Sequence, residues 1–246
     1  MAIWDFEFVF LACSLILRRF MKQLSARDLA QFIDHTLLRP DASSADIDQL
    51  CAEARQHHFY AVCVSGSRVS RAFARLEESD VKVVAVVGFP LGAGEGDAKR
   101  YETEVAVDHG AAEIDTVLNV GLLKDGEDRI LFRELRDIVE AADERPVKLI
   151  LETCLLSNEE IVQACHLALE AGVHWIKTST GFARAGATVE HVRLIRETVG
   201  PKVGVKASGG IRDLEFALQL IEAGATRLGT SSSVALVTHM AVSQED

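Results

Sequence analysis

The stretch Lys82-Val83-Val84-Ala85-Val86-Val87-Gly88 is an almost wholly apolar run, rich in β-branched residues, that ends on a glycine. Such a run is typical of a strand in a parallel sheet, where helices cover one face and other side chains pack on the opposite face. Comparable runs recur along the chain between longer segments of helical period, and their carboxyl ends lie roughly 23 to 33 residues apart, the length of one β-α unit. The sequence therefore predicts eight strands, at Phe32–Leu37, Ala61–Ser65, Lys82–Gly88, Glu113–Asn119, Val147–Glu152, Trp175–Ser179, Val203–Ala207 and Arg227–Gly229.

This repeat predicts an α/β protein of the (β/α)8 TIM barrel class, formed by a single domain. A barrel of this type needs about 250 residues, and the chain has 246. An open, fully parallel sheet of eight strands would leave two edges unpaired, and closing the sheet into a barrel removes both. No linker or low-complexity stretch interrupts the repeat, so we expect one barrel over residues 21–246.

The first 20 residues do not fit this repeat. They contain an apolar run, Phe8–Leu17, which acidic residues precede and two arginines follow. A secretory signal has the opposite charge order, and a run of ten residues is too short to span a bilayer. Two interpretations stay open, a poorly packed apolar extension over residues 1–20 or a start site upstream of a functional Met21, and we favour the second.

Charge and composition limit the expected partners. Asp and Glu number 37 against 26 Lys and Arg, a formal net charge of −11, which disfavours binding to nucleic acid or to an anionic membrane surface. The 5 cysteines include no C-x-x-C pair and the 8 histidines show no metal-ligand spacing, so we expect no catalytic metal, and no motif indicates another cofactor. We therefore expect a cytoplasmic protein that acts on a small molecule.

Two lysines interrupt apolar runs near the carboxyl ends of neighbouring predicted strands. Lys177 follows Trp175-Ile176, and Lys206 follows Val203-Gly204-Val205. Barrel active sites lie at this end, and two ammonium groups in one barrel mouth repel each other, which favours loss of a proton from one of them. A neutral lysine amine is the nucleophile that Schiff-base chemistry requires. The alternative is that each ammonium simply reaches solvent from a strand end.

Two aspartates are candidates for proton transfer beside these lysines. Because side chains alternate along a strand, Asp115 is predicted to share one strand face with Glu113 and Asn119. It either transfers protons or only pairs with a buried lysine. Asp34, in Ile33-Asp34-His35-Thr36-Leu37, is the second candidate, although an aspartate near the start of a strand can equally cap a turn.

Three loops of small residues predict a binding site for an anion such as phosphate. Two of them, Ser208-Gly209-Gly210-Ile211-Arg212 and Gly229-Thr230-Ser231-Ser232, follow the seventh and eighth strands, where barrels commonly bind phosphate. Each of these two loops begins a helix whose free backbone N–H groups would face the anion. The third loop is Thr180-Gly181, after the sixth strand. The predicted phosphate-binding residues are Thr180, Gly181, Gly209, Gly210, Gly229, Ser231 and Ser232.

Two other features are interpreted as structural. The stretch Gly92-Ala93-Gly94-Glu95-Gly96-Asp97 fits neither the G-x-G-x-x-G nor the P-loop spacing, so it predicts a flexible loop before a helix rather than a nucleotide site. Cys63 is predicted to be a buried core thiol, because no histidine is placed in sequence to activate it.

These motifs together resemble the deoxyribose-phosphate aldolase family, in the family's order and over roughly residues 25 to 235. The combination of Lys177-Thr178-Ser179-Thr180-Gly181-Phe182 with Lys206-Ala207-Ser208-Gly209-Gly210-Ile211-Arg212 is the most specific part. The other matching runs are Ile33-Asp34-His35-Thr36-Leu37-Leu38, Ala61-Val62-Cys63-Val64, Val87-Gly88-Phe89-Pro90-Leu91-Gly92, Glu113-Ile114-Asp115 and Gly229-Thr230-Ser231-Ser232.

The resemblance implies a class I aldolase that reversibly cleaves 2-deoxy-D-ribose 5-phosphate to D-glyceraldehyde 3-phosphate and acetaldehyde, in the catabolism of deoxyribonucleosides and deoxyribose phosphate. It implies that Lys177 forms the Schiff base and that Lys206 keeps Lys177 neutral and supports proton transfer. It also implies that Asp115 moves protons through water, with Asp34 in the same relay. The implied partners are the phosphorylated sugar and acetaldehyde, with neither nucleic acid nor a membrane.

The chain departs from the family pattern at two places. Ser65-Gly66 stand where the family often has a proline. The tail Val242-Ser243-Gln244-Glu245-Asp246 lacks the tyrosine that some members use for proton transfer, so Asp115 with water is expected to suffice.

Two alternative functions stay open at this point. The first is a Schiff-base aldolase or transaldolase for another phosphorylated sugar, because the lysine chemistry alone does not choose the substrate. The second is a catalytically silent barrel that binds sugar phosphates as a sensor or scaffold. The sequence also leaves the oligomeric state open, a homodimer or another homo-oligomer included.

Overall fold

A closed barrel of eight parallel strands, paired in chain order, forms the centre of residues 24–242, which are the residues that the computed structural model describes. The strands are β1 (Ile33–Leu37), β2 (Ala61–Ser65), β3 (Lys82–Val87), β4 (Glu113–Val117), β5 (Val147–Ile150), β6 (Trp175–Lys177), β7 (Gly204–Ser208) and β8 (Arg227–Thr230). The helices in this range are α1 (Ala26–Ala30), α2 (Ser44–His57), α3 (Val69–Leu76), α4 (Gly96–Asp108), α5 (Val120–Lys124), α6 (Asp128–Ala141), α7 (Asn158–Glu170), α8 (Val189–Val199), α9 (Leu214–Glu222) and α10 (Ser233–Val242), with short 3-10 turns at Gly66–Arg68 and Thr153–Leu155. The predicted (β/α)8 TIM barrel is therefore confirmed. The predicted extension over residues 1–20 and Met21 lie outside the described residues, and the domain boundary there stays a prediction.

Each predicted strand is present, but several end earlier than predicted. β4 ends at Val117, and Asn119 caps α5 with its side chain, which accepts a hydrogen bond from the amide of Leu122 at 3.3 Å. The prediction that Asn119 shares a strand face with Asp115 is therefore wrong. β5 ends at Ile150 because the chain turns at Glu152, whose φ of 57° is left-handed. Polar residues at these strand ends thus belong to the loops of the barrel mouth.

The helices around the barrel begin at polar caps. Ser43 before α2 and Ser157 before α7 each accept a hydrogen bond from the third helical amide, and the carboxylates of Asp46 and Glu160 accept from the serine amides at 2.7 Å. Each of these capping boxes satisfies two amide groups that the first helical turn otherwise leaves without a partner. None of the helices in the described range combines the length and the apolar character that crossing a bilayer requires.

The barrel interior has an apolar side and a charged side. A small core of Leu38, Ala61, Cys63, Val84 and Val86 lies inside the barrel, mainly on β2 and β3, while a larger core lies between the strands and the helices. Burial raises the pKa of the Cys63 thiol, which agrees with the predicted core thiol. The remaining strands contribute charged side chains to the interior, and these form the candidate site.

Candidate active site

A cavity of about 330 Å³ opens at the carboxyl ends of the strands, between the loops after β1, β6, β7 and β8. Lys177 lines it although the residue is only 2 % exposed, so a ligand in the cavity can reach an amine that bulk water hardly contacts. The predicted site residues along the cavity wall are Lys177, Thr180, Gly181, Gly209, Gly210, Gly229 and Ser231.

Asp115 is the centre of an ion-pair network inside the barrel. Its Oδ1 accepts a hydrogen bond from Nζ of Lys148 at 2.7 Å, and its Oδ2 accepts from Nζ of both Lys177 and Lys206 at 2.8 Å. The strand register explains these contacts, since Asp115 pairs with Lys148 on β5, and Lys177 pairs with Lys206 across β6 and β7. The structure thus brings the three leading predicted residues into direct contact.

Two of the three interior lysines contact a second carboxylate. Nζ of Lys148 lies 2.6 Å from Oε2 of Glu113, and Nζ of Lys206 donates a hydrogen bond to Oδ2 of Asp34. Among the described residues, Lys177 forms an ion pair with the shared central carboxylate alone. The predicted place of Asp34 beside the lysines is also observed.

Arg227 closes the amino-terminal end of the barrel interior. Its Nη1 donates a hydrogen bond to Oδ1 of Asp34 at 2.9 Å, and its guanidinium carbon lies 3.4 Å from the ring centre of Tyr60 and 5.0 Å from that of Trp175. Gly204 leaves room for the indole, because a Cβ there would lie 2.0 Å from the ring of Trp175. Cation–π contacts of this kind stabilise a buried guanidinium. They therefore fix the group that hydrogen-bonds to the carboxylate of Asp34.

At the two aspartates, Lys148 and Lys206, neighbouring opposite charges shift the pKa of each group by more than burial shifts it in the other direction. Burial raises the pKa of Asp115, but the surrounding ammonium groups, that of Lys148 first, hold it well below its usual range. Burial also raises the pKa of Asp34, but Lys206 and the neighbouring guanidinium bring it to about 2. In turn, the carboxylates raise the pKa of Lys148 and of Lys206 although burial lowers it. At neutral pH both aspartates are therefore anions and these two lysines are cations.

Lys148, Glu113 and Arg227 belong to the network although none was predicted as a site residue. Each lies at or near the amino end of its strand, whereas the sequence drew attention to carboxyl ends. Alternation is the signal that could have identified Lys148, because its neighbour Leu149 packs in the outer core and Lys148 must then point into the barrel.

The loops after β6, β7 and β8 meet on one side of the cavity. Gly181, Gly209 and Gly210 have φ values of 86°, 85° and 79°, a left-handed backbone that side chains rarely allow. Gly186 packs so closely on this turn that a Cβ there would lie 2.1 Å from the carbonyl oxygen of Gly209. α10 begins just after the loop that follows β8, which gives this loop the helix start that an anion site needs. The start of α9 is instead capped by the carboxylate of Asp213, which accepts a hydrogen bond from the amide of Phe216 at 2.9 Å.

Two of the predicted phosphate-binding residues are hydrogen-bonded within the protein. The hydroxyl of Thr180 donates to the buried carboxylate of Glu152, and the amide of Thr180 lies 3.4 Å from the same group. The amide of Ser232 donates to Oγ1 of Thr230 at 3.0 Å, and Ser232 is not among the described residues that line the cavity. Glu152 itself was not predicted as a site residue, since nothing in the sequence marks a left-handed, non-glycine residue there.

Chemically, the cavity combines an amine that can attack a carbonyl, an ionised carboxylate in contact with that amine, and small-residue loops that can bind an anion. Within residues 24–242, no three His, Cys, Asp or Glu side chains converge as metal ligands do. Covalent catalysis by a lysine with proton transfer by its neighbours is the chemistry that these groups favour.

Comparison with known proteins shows similarity along the whole barrel. The sequence matches the profile of the DeoC/LacD family aldolase over residues 29–236. It is 54% identical over 211 residues to the deoxyribose-phosphate aldolase of Alkaliphilus oremlandii (strain OhILAs), and 53% identical over 211 residues to that of Geobacillus sp. (strain WCH70), with 85% of this chain and 95% of the relative covered in both. Among solved structures, the tetrameric deoxyribose phosphate aldolase from Aeropyrum pernix superposes with a TM-score of 0.84 at 33% identity, over 91% of this chain and 95% of that one. The matched range contains every predicted site residue.

Proposed function

The chain belongs to the DeoC/LacD family of aldolases, and from this premise we propose that it reversibly cleaves 2-deoxy-D-ribose 5-phosphate to D-glyceraldehyde 3-phosphate and acetaldehyde through a Schiff base on Lys177. The name of the Alkaliphilus and Geobacillus relatives supports the choice of substrate. In this proposal the enzyme acts in the breakdown of deoxyribose phosphate derived from deoxyribonucleosides, and its partners are the phosphorylated sugar and acetaldehyde.

One observation carries the choice of nucleophile: of the three interior lysines, Lys177 alone contacts a single carboxylate among the described residues. Lys148 and Lys206 each lie between two carboxylates, which favours their charged forms. Lys177 shares Asp115 with both of these cations. Loss of a proton from Lys177 therefore removes like-charge repulsion and leaves no carboxylate unpaired.

In the first half of the reaction, the neutral amine of Lys177 attacks the C1 aldehyde carbon of the open-chain sugar. The new C–N bond gives a carbinolamine, whose hydroxyl receives a proton and leaves as water. Asp115 and Lys206, which contact each other and surround the amine, shuttle the protons of this step, directly or through water. Asp34 hydrogen-bonds to Lys206 and belongs to the same relay. The product is an iminium ion that can accept an electron pair.

In the second half, the C2–C3 bond breaks. Removal of the C3 hydroxyl proton makes C3 the aldehyde carbon of glyceraldehyde 3-phosphate, and the bonding electron pair moves to C2 to form an enamine on Lys177. Protonation of C2 gives the iminium of acetaldehyde, which water hydrolyses to acetaldehyde and the free amine. The ionised Asp115 is the carboxylate next to the amine in both halves.

The loops beyond the lysines bind the 5-phosphate in this proposal. The amides of Gly209, Gly210 and Ser231, together with the start of α10, attract a dianion although the chain as a whole is acidic. Arg212 also lines the cavity and adds positive charge there. Binding the phosphate at one end of the cavity fixes the reacting carbons near Lys177, which lowers the entropic cost of reaching the transition state.

Trapping with borohydride tests this function. The full chain is incubated with acetaldehyde, reduced with sodium borohydride, digested and analysed by mass spectrometry, and we expect an ethyl adduct on Lys177. Lys177→Met should abolish the adduct, whereas Lys206→Met should leave any residual adduct on Lys177. An adduct on Lys148 or Lys206, or none in the wild-type protein, would refute the proposed mechanism. Faster cleavage of fructose 1,6-bisphosphate than of 2-deoxyribose 5-phosphate would refute the proposed substrate.

A further inference from the structure

His35 is a buried residue of β1 that none of the proposed catalytic steps uses. It follows Asp34 on the strand, so its ring points away from the barrel interior, towards α2 and α10. Its Nε2 lies 2.8 Å from Oε2 of Glu53 on α2, and its Nδ1 lies 2.9 Å from Oγ of Ser233, the first residue of α10. The ring also packs against Phe59 at a centroid distance of 5.1 Å. His35 is thus held on both nitrogens and on one face.

The hydrogen-bond partners determine where the protons of His35 lie. An ionised carboxylate only accepts hydrogen bonds, so Nε2 carries the proton that points to Glu53. Burial lowers the pKa of His35 by more than Glu53 raises it, which favours the neutral ring. A neutral ring with its proton on Nε2 accepts at Nδ1, and the hydroxyl of Ser233 is then the donor. Glu53 therefore orients the imidazole, and the imidazole orients Ser233.

A short chain of contacts leads from Ser233 to both proposed phosphate loops. The carbonyl oxygen of Thr230 lies 3.0 Å from Oγ of Ser233 and competes with Nδ1 of His35 for the single proton of that hydroxyl. Oγ1 of Thr230 donates to the carbonyl oxygen of Ile211, in the loop after β7, at 2.7 Å and accepts from the amide of Ser232, in the loop after β8, at 3.0 Å. Ser233 and Thr230 are buried, so the contacts that Thr230 makes with Ser233 and with Ile211 are protected from water. Loss of Nδ1 as an acceptor releases the Ser233 proton to the carbonyl oxygen of Thr230, so a change at His35 reaches the two loops through Thr230.

We infer that His35, oriented by Glu53, is a positioning residue that sets the geometry of the phosphate site through Ser233 and Thr230. The inference rests on the proposed function, because it assigns a role towards the phosphate loops of that same site. His35 lies on the outer side of β1 and is not among the described residues that line the cavity. Its effect is therefore on binding of the phosphate group and not on the chemistry of the Schiff base. Removal of the Ser233 hydroxyl leaves the amide nitrogens present but aims them less well at an anion.

The test compares substrates with and without the phosphate. We expect Ser233→Ala to raise KM for 2-deoxyribose 5-phosphate and Kd for inorganic phosphate by about fivefold to tenfold, the equivalent of one lost hydrogen bond of ~1 to 1.4 kcal/mol. The values of kcat and KM for unphosphorylated 2-deoxyribose should stay unchanged. Ser233→Thr, which restores a hydroxyl, should recover most of the affinity for phosphate. His35→Gln, which can still reach Glu53 but not Ser233, should behave like Ser233→Ala.

A matched control separates positioning from general destabilisation. Thr103 is a buried helical residue of α4 whose hydroxyl donates to the carbonyl oxygen of Lys99 at 2.9 Å. Thr103→Val should lower the melting temperature without changing the ratio of the two KM values. An unchanged Kd for phosphate in both Ser233→Ala and His35→Gln would overturn the inference. Phosphate binding by a wild-type protein that forms no borohydride adduct would instead overturn the proposed function alone. If Ser233→Ala does not fold, the Kd of His35→Gln for phosphate tests the inference on its own.

Discussion

The comparison of Asp115→Asn with Glu113→Gln tests whether the central carboxylate transfers protons or only neutralises buried charge. Both changes remove one carboxylate from the same face of β4, and both carboxylates contact Lys148, at 2.7 Å and 2.6 Å. Only Asp115 also contacts Lys177 and Lys206, each at 2.8 Å. Glu113→Gln is therefore a control that changes the interior charge by the same amount without removing a contact of the proposed nucleophile, Lys177.

The ion pairs that each variant loses determine how far its kcat and its stability should fall. After Glu113→Gln, Lys148 still contacts Asp115, so every cation of the network keeps a carboxylate, and we expect less than about a tenfold loss of kcat. After Asp115→Asn, Lys177 has no carboxylate contact among the described residues, and Lys206 alone is left to exchange protons with it. Loss of a general acid–base group lowers the rate by about 10²–10⁴, and the broken buried ion pairs cost about 3–5 kcal/mol of folding free energy.

The assay measures kcat for cleavage of 2-deoxyribose 5-phosphate together with urea unfolding of each variant. Unfolding curves show how much of each sample is folded, so that the rate can be corrected for loss of stability. Borohydride trapping of Asp115→Asn after long incubation checks that Lys177 is still accessible. Equal losses of kcat in the two variants would refute the role of Asp115 in proton transfer and would leave only a charge effect.

Three further outcomes are expected. Lys206→Leu should fold, lose activity by orders of magnitude and need a higher pH for imine formation, because the ammonium that opposes protonation of Lys177 is gone; a normal pH profile of trapping would contradict this. Asp34 has a pKa of about 2 in the folded protein and about 3.9 in an unfolded chain, so its ion pairs add roughly 2–3 kcal/mol to the free energy of unfolding above about pH 4, and this is lost as the pH falls towards 2. Urea unfolding of Asp34→Asn should therefore depend less steeply on pH in that range than the wild type, and equal slopes would show that Asp34 is not ion-paired. Lys148→Met should cost about 3–5 kcal/mol in urea unfolding, and adding Glu113→Gln should recover part of it, since the second change removes an unpaired buried carboxylate; no recovery would contradict the pairing.

The barrel and its interior face could be predicted from the sequence because both depend on simple periods. Eight apolar runs with the spacing of β-α units define the strand order, and alternation along β4 places Asp115 inside. Exact strand ends could not be predicted in this way. Asn119 continues an apolar run in sequence, but its side chain forms a better local hydrogen bond as a helix cap than it would in a strand.

The deeper part of the site was missed because it depends on contacts between distant strands. In the sequence, Lys148 is a single polar residue in the run Val147-Lys148-Leu149-Ile150. Its place in the ion-pair network becomes evident only in the structure, where β4 brings two carboxylates beside it. Arg227 likewise reads as the polar start of a strand. Its buried position requires the rings of Tyr60, just before β2, and of Trp175, the first residue of β6.

The different ion-pair contacts of Lys177 and Lys206 have a physical origin that neither local sequence contains. Lys206 on β7 reaches Asp34 on β1 across β8, where the facing residue is Gly229. A Cβ at Gly229 would lie 3.0 Å from Cε of Lys206, so the absence of a side chain keeps this path open. With Asp34 on one side and Asp115 on the other, Lys206 stays a cation. Lys177, one strand further from β1, has only the shared carboxylate. A glycine that the sequence predicts for phosphate binding thus also favours the cationic form of Lys206, and in the proposed mechanism this leaves Lys177 to act as the nucleophile.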